Sequence, residues 1–290
     1  MIKKKSKITR MECLKPDWNR VVNAARRTVG KKPISKEPSE TFKNKILLSE
    51  HSPIRLLEYD FTWEDIKQWV TVHFVRHHEG CEKFIHTQRP DRNDELKGLN
   101  RDEFPQGLLN DMDMSCNAQS FINISRKRLC SCSSPDTRYA WKTTIAYLKE
   151  IDPILASKCV PECIYRGFCA ECDKSCGYCE TDDYKRKLIY YRSYEEEKWV
   201  SLSYCDENGD IQKIEDYEAS TWGRIRKDNE FIEIFHNSDG CEYFKSPSDK
   251  SIKVSNAIFT SFNGKFSGTI DNIDGNPYNN KINNLKEKYD

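Results

Sequence analysis

From residue 54 onward, the hydrophobic and polar positions set out a series of short elements. Ile54 to Phe61 (IRLLEYDF) partly alternates, which predicts a strand. Thr62 predicts a helix start, a capping hydroxyl followed by Glu64 and Asp65 in the first turn. Ile66, Trp69, Val70 and the run His73 to Val75 share one face at the helical period. That helix is expected to run into Arg76-His77-His78 and to stop at Gly80. Glu82 to Thr87 predicts the next strand, and Met112 to Leu129 a long helix with Phe121, Ile122, Ile124 and Leu129 as its apolar positions. Ser134-Pro135-Asp136 combines a cap, a proline at the first helical position and an acid in the first turn; Trp141, Ile145 and Leu148 continue that helix's buried face. Asp152-Pro153 opens a shorter helix by the same logic. Beyond residue 194 the pattern shortens into alternating segments broken by Gly, Asn and Asp, which predicts a small β-rich or mixed unit. The expectation is an α/β chain of the α+β kind: a domain over 1–180, a charged, Tyr-rich connector over 181–194 and a C-terminal unit over 195–290.

Composition narrows the class. At 37% hydrophobic and 32% charged over 290 residues, the chain is neither collagen-like, disordered nor membrane-embedded. No stretch approaches the ~18 apolar residues of a spanning helix, and MIKKKSKITRMECLK offers no apolar run for a secretion signal. The expected setting is cytoplasmic. The net charge of +1 hides an asymmetry: residues 1–50 hold 14 Lys/Arg against 5 Asp/Glu, a net of +9, and residues 194–290 hold 12 against 19, a net of −7. A single basic nucleic-acid-binding surface is therefore not the default reading. The 13 cysteines read as metal ligands, redox groups or small buried hydrophobes rather than a disulfide framework.

The candidate chemistry gathers at the element ends. Arg76, His77 and His78 sit where the first helix is expected to stop, and Thr87, Gln88, Arg89 and Arg92 follow the next strand. Asn123, Ser125, Arg126 and Arg128 lie on the second helix, and Arg138 on the third. Several arginines on packed elements must face either a cleft or carboxylate partners. Two readings follow: a site for a phosphate-bearing, hydrogen-bonding ligand, or structural ion pairs with Glu64, Asp65, Glu82, Asp91 and Asp136.

His51-Ser52-Pro53, then Arg76-His77-His78, then Thr87-Gln88-Arg89 resemble the flavin-dependent thymidylate synthases, particularly divergent phage members. NAQSFINISRKRLC (117–130) and SPDTRYAWK (134–142) are similar to that family's later helices. The resemblance covers residues ~11 to ~180. It implies an enzyme that methylates dUMP to dTMP with FAD as cofactor, methylenetetrahydrofolate as one-carbon donor and NADPH as reductant, in a homotetramer with sites between subunits. It implies that Arg76, His77, His78 and Asn123 bind the flavin and that His73, Thr87, Gln88 and Arg89 bind the nucleotide. Arg138 would contact the uracil and favour its anionic form, the one catalytic assignment. A phage enzyme would work in the host cytoplasm. Two departures stand out. His78 replaces a fixed cation of the family motif with a group mostly neutral at pH 7. Eight residues separate His78 from Thr87, one more than in the family. They leave room for a different one-carbon product or for a non-catalytic nucleotide-binding relic.

Six cysteines fall within 159–179, with the core Cys169-x-x-Cys172-x-x-x-Cys176-x-x-Cys179. Two CxxC pairs are a tetrahedral zinc signal, so these four are the expected ligands of a structural zinc ion. An iron–sulfur cluster and free thiols are the alternatives, and Cys130 and Cys132 are read as packing. In the tail, Tyr217-Glu218-Ala219-Ser220 with Gly223-Arg224-Ile225 resembles the small DNA-binding motif of phage HNH homing endonucleases, and DNIDGNPYNNKINNLK (271–286) resembles the HNH site. Asn272 stands at the position of that family's general-base His and cannot take up a proton at neutral pH. The expectation is a degenerate unit that no longer cuts DNA, with DNA cleavage as the alternative function.

Overall fold

The computed structural model of the protein describes residues 6–13 and 17–289, without the side chains of Thr9, Cys13 and Cys172. It is an α+β structure whose described strands all pair antiparallel. Two compact units divide it, Met1–Cys179 and Glu180–Asp290.

The first unit is built on a four-stranded sheet. Its strands are β1 (Lys7–Cys13), β2 (Glu58–Lys67), β3 (Cys81–Ile85) and β4 (Leu109–Asn117), in the order β1-β2-β4-β3. Helices α1 (Trp18–Thr28), α2 (Glu40–Leu48), α3 (Gln68–Val75), α4 (Ala118–Arg128), α5 (Pro135–Ile151), α6 (Pro153–Lys158) and α7 (Glu162–Arg166) complete it. Two expectations are corrected here. Thr62 does not open a helix: Tyr59, Phe61 and Trp63 are all fully buried at period two, so the strand runs on to Lys67. A bulge between Trp63 and Ile66, with Asp65 at φ 55°, re-sets the chain before α3 begins at Gln68. Likewise Met112, Met114 and Cys116 alternate as buried positions of β4, and the helix begins only after Asn117, whose side chain accepts from Ser120 N.

Rings from β2, α3, α4 and α5 form the centre of this unit. Phe61–Trp63, Trp63–Phe74 and Phe121–Trp141 have centroids 5.1, 4.5 and 5.4 Å apart. Each polar ring atom is satisfied: Trp141 Nε1 donates to Ser125 Oγ at 2.8 Å, Trp63 Nε1 to Thr144 Oγ1 at 3.1 Å, and Tyr59 Oη to Asp152 Oδ2 at 2.7 Å. Asp152 also caps α6, accepting from Leu155 N at 2.9 Å. Ser134 caps α5 and Pro135 opens it, as the sequence predicts.

The second unit starts with α8 (Asp182–Tyr191), inside the stretch read as a connector. A four-stranded sheet follows, β5 (Trp199–Cys205), β6 (Ile211–Ser220), β7 (Ile225–Lys227) and β8 (Glu230–Phe231). Then come β9 (Phe235–His236), β10 (Glu242–Lys245) and β11 (Ser251–Lys253), helix α9 (Val254–Asn263), and the hairpin β12 (Thr269–Asn272) with β13 (Leu285–Lys288). Leu202, Phe244, Ala257, Ile258 and Ile270 form its separate core. Gly223, at φ 78°, lies so close to the Asn280 backbone that any Cβ there would collide with it.

Candidate functional site

Three helix ends meet in the first unit. Arg76 is the C-cap of α3, and Arg126, Lys127 and Arg128 fill the last turn of α4, where the helix dipole favours cations. From there Arg128 reaches back to α3: its Nε–H donates to Nε2 of His77 at 3.0 Å, and Nη2 donates to the His73 carbonyl at 2.6 Å. The start of α5 closes the group. His73 Nδ1 lies 2.8 Å from Thr137 Oγ1, and Thr137 Oγ1 accepts from the capping Ser134 hydroxyl at 2.7 Å. That leaves the Thr137 proton for His73.

The electrostatics are one-sided. Burial pushes His77 down to about 4, and Arg128, Lys83 and His78 add to the shift. Burial, Arg128 and Arg76 hold His73 below its usual value as well. Arg128 is itself lowered, by burial and by Arg76. The charged groups acting on these three side chains are thus basic, so both histidines are neutral at pH 7 beside two fixed cations. Such an arrangement gains from an anion placed against the guanidinium groups.

The other expected site residues lie elsewhere. His78 is exposed one position beyond His77. Asn123 Oδ1 accepts from Gln119 Nε2 at 3.2 Å and Arg126 Nη1 at 3.3 Å, while Arg126 pairs with Glu50 and stacks 3.5 Å over Tyr165. Arg89 is turned onto Asp91 in two bonds of 3.0 and 2.6 Å, one of the ion pairs the structural reading anticipates. Thr87 Oγ1 accepts from Arg89 N at 3.3 Å, and the Thr87 carbonyl from Asn93 Nδ2 at 3.0 Å. Gln88 lines a cavity of about 300 Å³ together with Glu64, Asp65, Glu95 and Asp111. Its Nε2 is buried with no hydrogen-bond partner among the described residues. That acidic lining suits a neutral or cationic hydrogen-bonding group and opposes a phosphate. Arg138 Nη1 donates to the carbonyls of Ser131 at 2.7 Å and Ser133 at 3.4 Å, closing the loop between α4 and α5.

Arg128 stands out in the sequence as one arginine of several, without a role; Thr137 does not stand out at all. The only signal for Thr137 is its place three residues after the capping Ser134, where a hydroxyl sits at the mouth of the helix.

No family model and no curated protein matches the chain. Solved structures do. The chain is similar to the UMP/dUMP methylase PolB from Streptomyces cacaoi bound with 5-Br dUMP, at 11% identity over 57% of this chain and 95% of that one, with a TM-score of 0.43. It is similar to the flavin dependent thymidylate synthase ThyX from Helicobacter pylori complexed with FAD and dUMP, at 12% identity over 54% and 100%, TM-score 0.44. A second structure of Helicobacter pylori ThyX with FAD and dUMP matches at 13% identity over 54% and 98%, TM-score 0.43.

The cysteines near the end of the first unit differ in their surroundings. Cys163 is pushed up to about 12 by burial, with Cys179 and then Cys130 as further causes. Cys176 is held down by hydrogen bonds from the Tyr178 backbone and Ser131, with Arg138 nearby. Among the described residues, no three His, Cys, Asp or Glu side chains stand together as metal ligands, and the Cys172 side chain lies outside the description. In the second unit, the Asn272 amide donates to the Asn279 carbonyl at 2.9 Å, and Asn284 Nδ2 bridges Asp274 Oδ1 at 2.8 Å and Asn279 O at 2.7 Å. These side chains close the turn between β12 and β13.

Proposed function

We propose that the first unit is a flavin-dependent thymidylate-synthase-like enzyme, acting on dUMP in the host cytoplasm with FAD, methylenetetrahydrofolate and NADPH. The observation that carries this reading is the Arg128–His77–His73–Thr137 cluster with Arg76. It is a basic group in which Arg76 and His77 stand at positions that the resemblance assigns to the flavin and His73 at one that it assigns to the nucleotide, with Arg128 and Thr137 joined to them by hydrogen bonds. Two fixed cations beside two neutral histidines fit the phosphates of FAD or of dUMP, and Arg76 and Arg128 are the residues that would hold them. When bound, FAD supplies the redox chemistry. The chain's own part is to bind and orient: Arg128 is braced by His77 and the His73 carbonyl, and His73 is oriented by Thr137. Gln88 has an unused donor for a ligand carbonyl, and Arg138 retains the role of polarising the uracil. The sites are expected to form between subunits of a homotetramer. The HNH-like tail is read as a degenerate appendage, since the Asn272 amide is committed to closing a turn.

The test starts with the visible spectrum of the purified protein and of the supernatant after denaturation, followed by calorimetry with dUMP. Released flavin and saturable dUMP binding are expected, with at least a tenfold loss of affinity, about 1.4 kcal/mol, in Arg128→Ala and in Arg138→Ala. Thermal melts check that the variants fold. A protein that takes up neither FAD nor dUMP overturns the proposal. One that binds dUMP without flavin reduction by NADPH is the non-catalytic relic.

A further inference from the structure

Cys81 opens β3 and Cys116 ends the buried run of β4, and the two are direct cross-strand partners. The neighbouring bond runs from Asn117 N to the Gly80 carbonyl at 2.9 Å, which makes Cys81/Cys116 a non-hydrogen-bonded pair. Such pairs bring Cα atoms to about 4.5 Å, inside the ~4.4–6.8 Å range that a disulfide spans. The sulfurs already lie 3.0 Å apart. Both residues are buried, Cys116 completely and Cys81 to within 5%. Two thiols this close, opposed across a rigid ladder, need only a small approach to bond.

We propose that Cys81 and Cys116 form a redox pair that closes to a cross-strand disulfide under peroxide and reopens with a thiol reductant.

The two sulfurs are not equivalent. Cys81 sits at the rim, accepts from the Cys116 thiol and lies beside Ser120 and Lys83, which hold its pKa down. Burial pushes Cys116 up. Cys81 is therefore the attacking thiolate. Its sulfur attacks one oxygen of hydrogen peroxide and the O–O bond breaks. Hydroxide leaves and takes up the proton released by Cys81, giving the sulfenic acid and one water. The Cys116 sulfur then attacks Cys81, the S–O bond breaks, and the hydroxyl leaves with the Cys116 proton as a second water. Two thiols lose two electrons in total and peroxide gains them.

The bond would fall at the foot of the segment that carries Arg76, His77 and His78. Gly80, at φ 65°, packs against Asn117 and Ser120 with no room for a Cβ, and Ser120 Oγ lies 2.5 Å from the Glu79 carbonyl and 2.9 Å from the Gly80 carbonyl. A disulfide there ties residues 76–80 covalently to the start of α4.

The experiment treats the full-length protein with hydrogen peroxide, alkylates the remaining thiols and maps tryptic peptides by mass spectrometry. The expected product links the Cys81 and Cys116 peptides with loss of two hydrogens and disappears on reduction with dithiothreitol. In Cys116→Ser, Cys81 is expected to take the sulfenic-acid reagent dimedone; in Cys81→Ser, Cys116 stays alkylatable. Hydrogen exchange at residues 76–80 is expected to slow in the oxidised protein. If both thiols stay alkylatable while other cysteines oxidise, or if either links to a different cysteine, the proposal fails. Thermal melts of the serine variants, with Cys116→Ala as a second form, confirm folding.

Discussion

The imidazole of His77 accepts from a guanidinium, which fixes its own proton on Nδ1 and keeps the ring neutral. An added proton at Nε2 would break the Arg128 bond and set a third cation among two. Its folded pKa of about 4 lies below the ordinary 6.5, so the unfolded chain binds the extra proton between those values. The stability contributed by neutral His77 is present above pH 6.5 and is lost as the pH falls toward 4. His77→Gln keeps an acceptor for Arg128 and removes the titration. The urea midpoint of wild type is therefore expected to drop more than that of His77→Gln between about pH 7.5 and about pH 5. Equal drops would mean that His77 does not carry this pH dependence.

The elements show what was legible in the sequence and what was not. Helices α5 and α6 could be read from Ser134-Pro135 and Asp152-Pro153, because a cap and a proline are local chemistry that tertiary packing does not override. The sequence pattern ends β2 too early and reads Met112 to Asn117 of β4 as the start of a helix, and in both cases burial decides for the strand. Thr62-Trp63-Glu64-Asp65 carries a cap-like hydroxyl and two acids, but burial of Trp63 between Phe61 and Phe74 continues the strand. The site suffered similarly. Arg76 and His77 are legible in local motif spacing, whereas the bond from Arg128 to His77 joins positions 51 apart in sequence and depends on how α3 and α4 pack. Asp152 shows the energetic side of such long-range ties, since it caps α6 and accepts from the buried Tyr59 hydroxyl. Asp152→Ala is expected to cost about 2–4 kcal/mol, a lost cap plus the lost hydrogen bond from the buried Tyr59 hydroxyl. In the double variant with Tyr59→Phe, that donor is gone and the cost should fall short of the sum by about 1 kcal/mol in a double-mutant cycle. Additive losses would show that the Tyr59–Asp152 bond contributes nothing beyond its parts.

At the scale of the whole molecule, one group in each unit is expected to respond to acid in the opposite sense to the other. In the second unit Glu242 is 4% exposed. Its Oε2 accepts from Asn280 Nδ2 at 2.8 Å, and its Oε1 lies 3.2 Å from Arg186 Nε and 3.7 Å from His236 Nε2. Burial raises its pKa from 4.5 to about 7 against the pull of Arg186 and Asn280, with Asp182 adding to the rise. The folded state therefore holds a proton that the unfolded chain has released between these values. The second unit gains stability from Glu242 as the pH falls from 7 toward 4.5, over much of the window in which His77 makes the first unit lose it. Glu242→Gln fixes the neutral form and keeps an amide of the same shape beside Asn280. Hydrogen exchange on the full chain, corrected for the intrinsic rate at each pH, resolves the two units. Protection of peptides covering β10 is expected to rise on acidification in wild type and to stay level in Glu242→Gln, while peptides covering α3 lose protection in both. A rise that persists in Glu242→Gln would show that Glu242 does not carry the acid response.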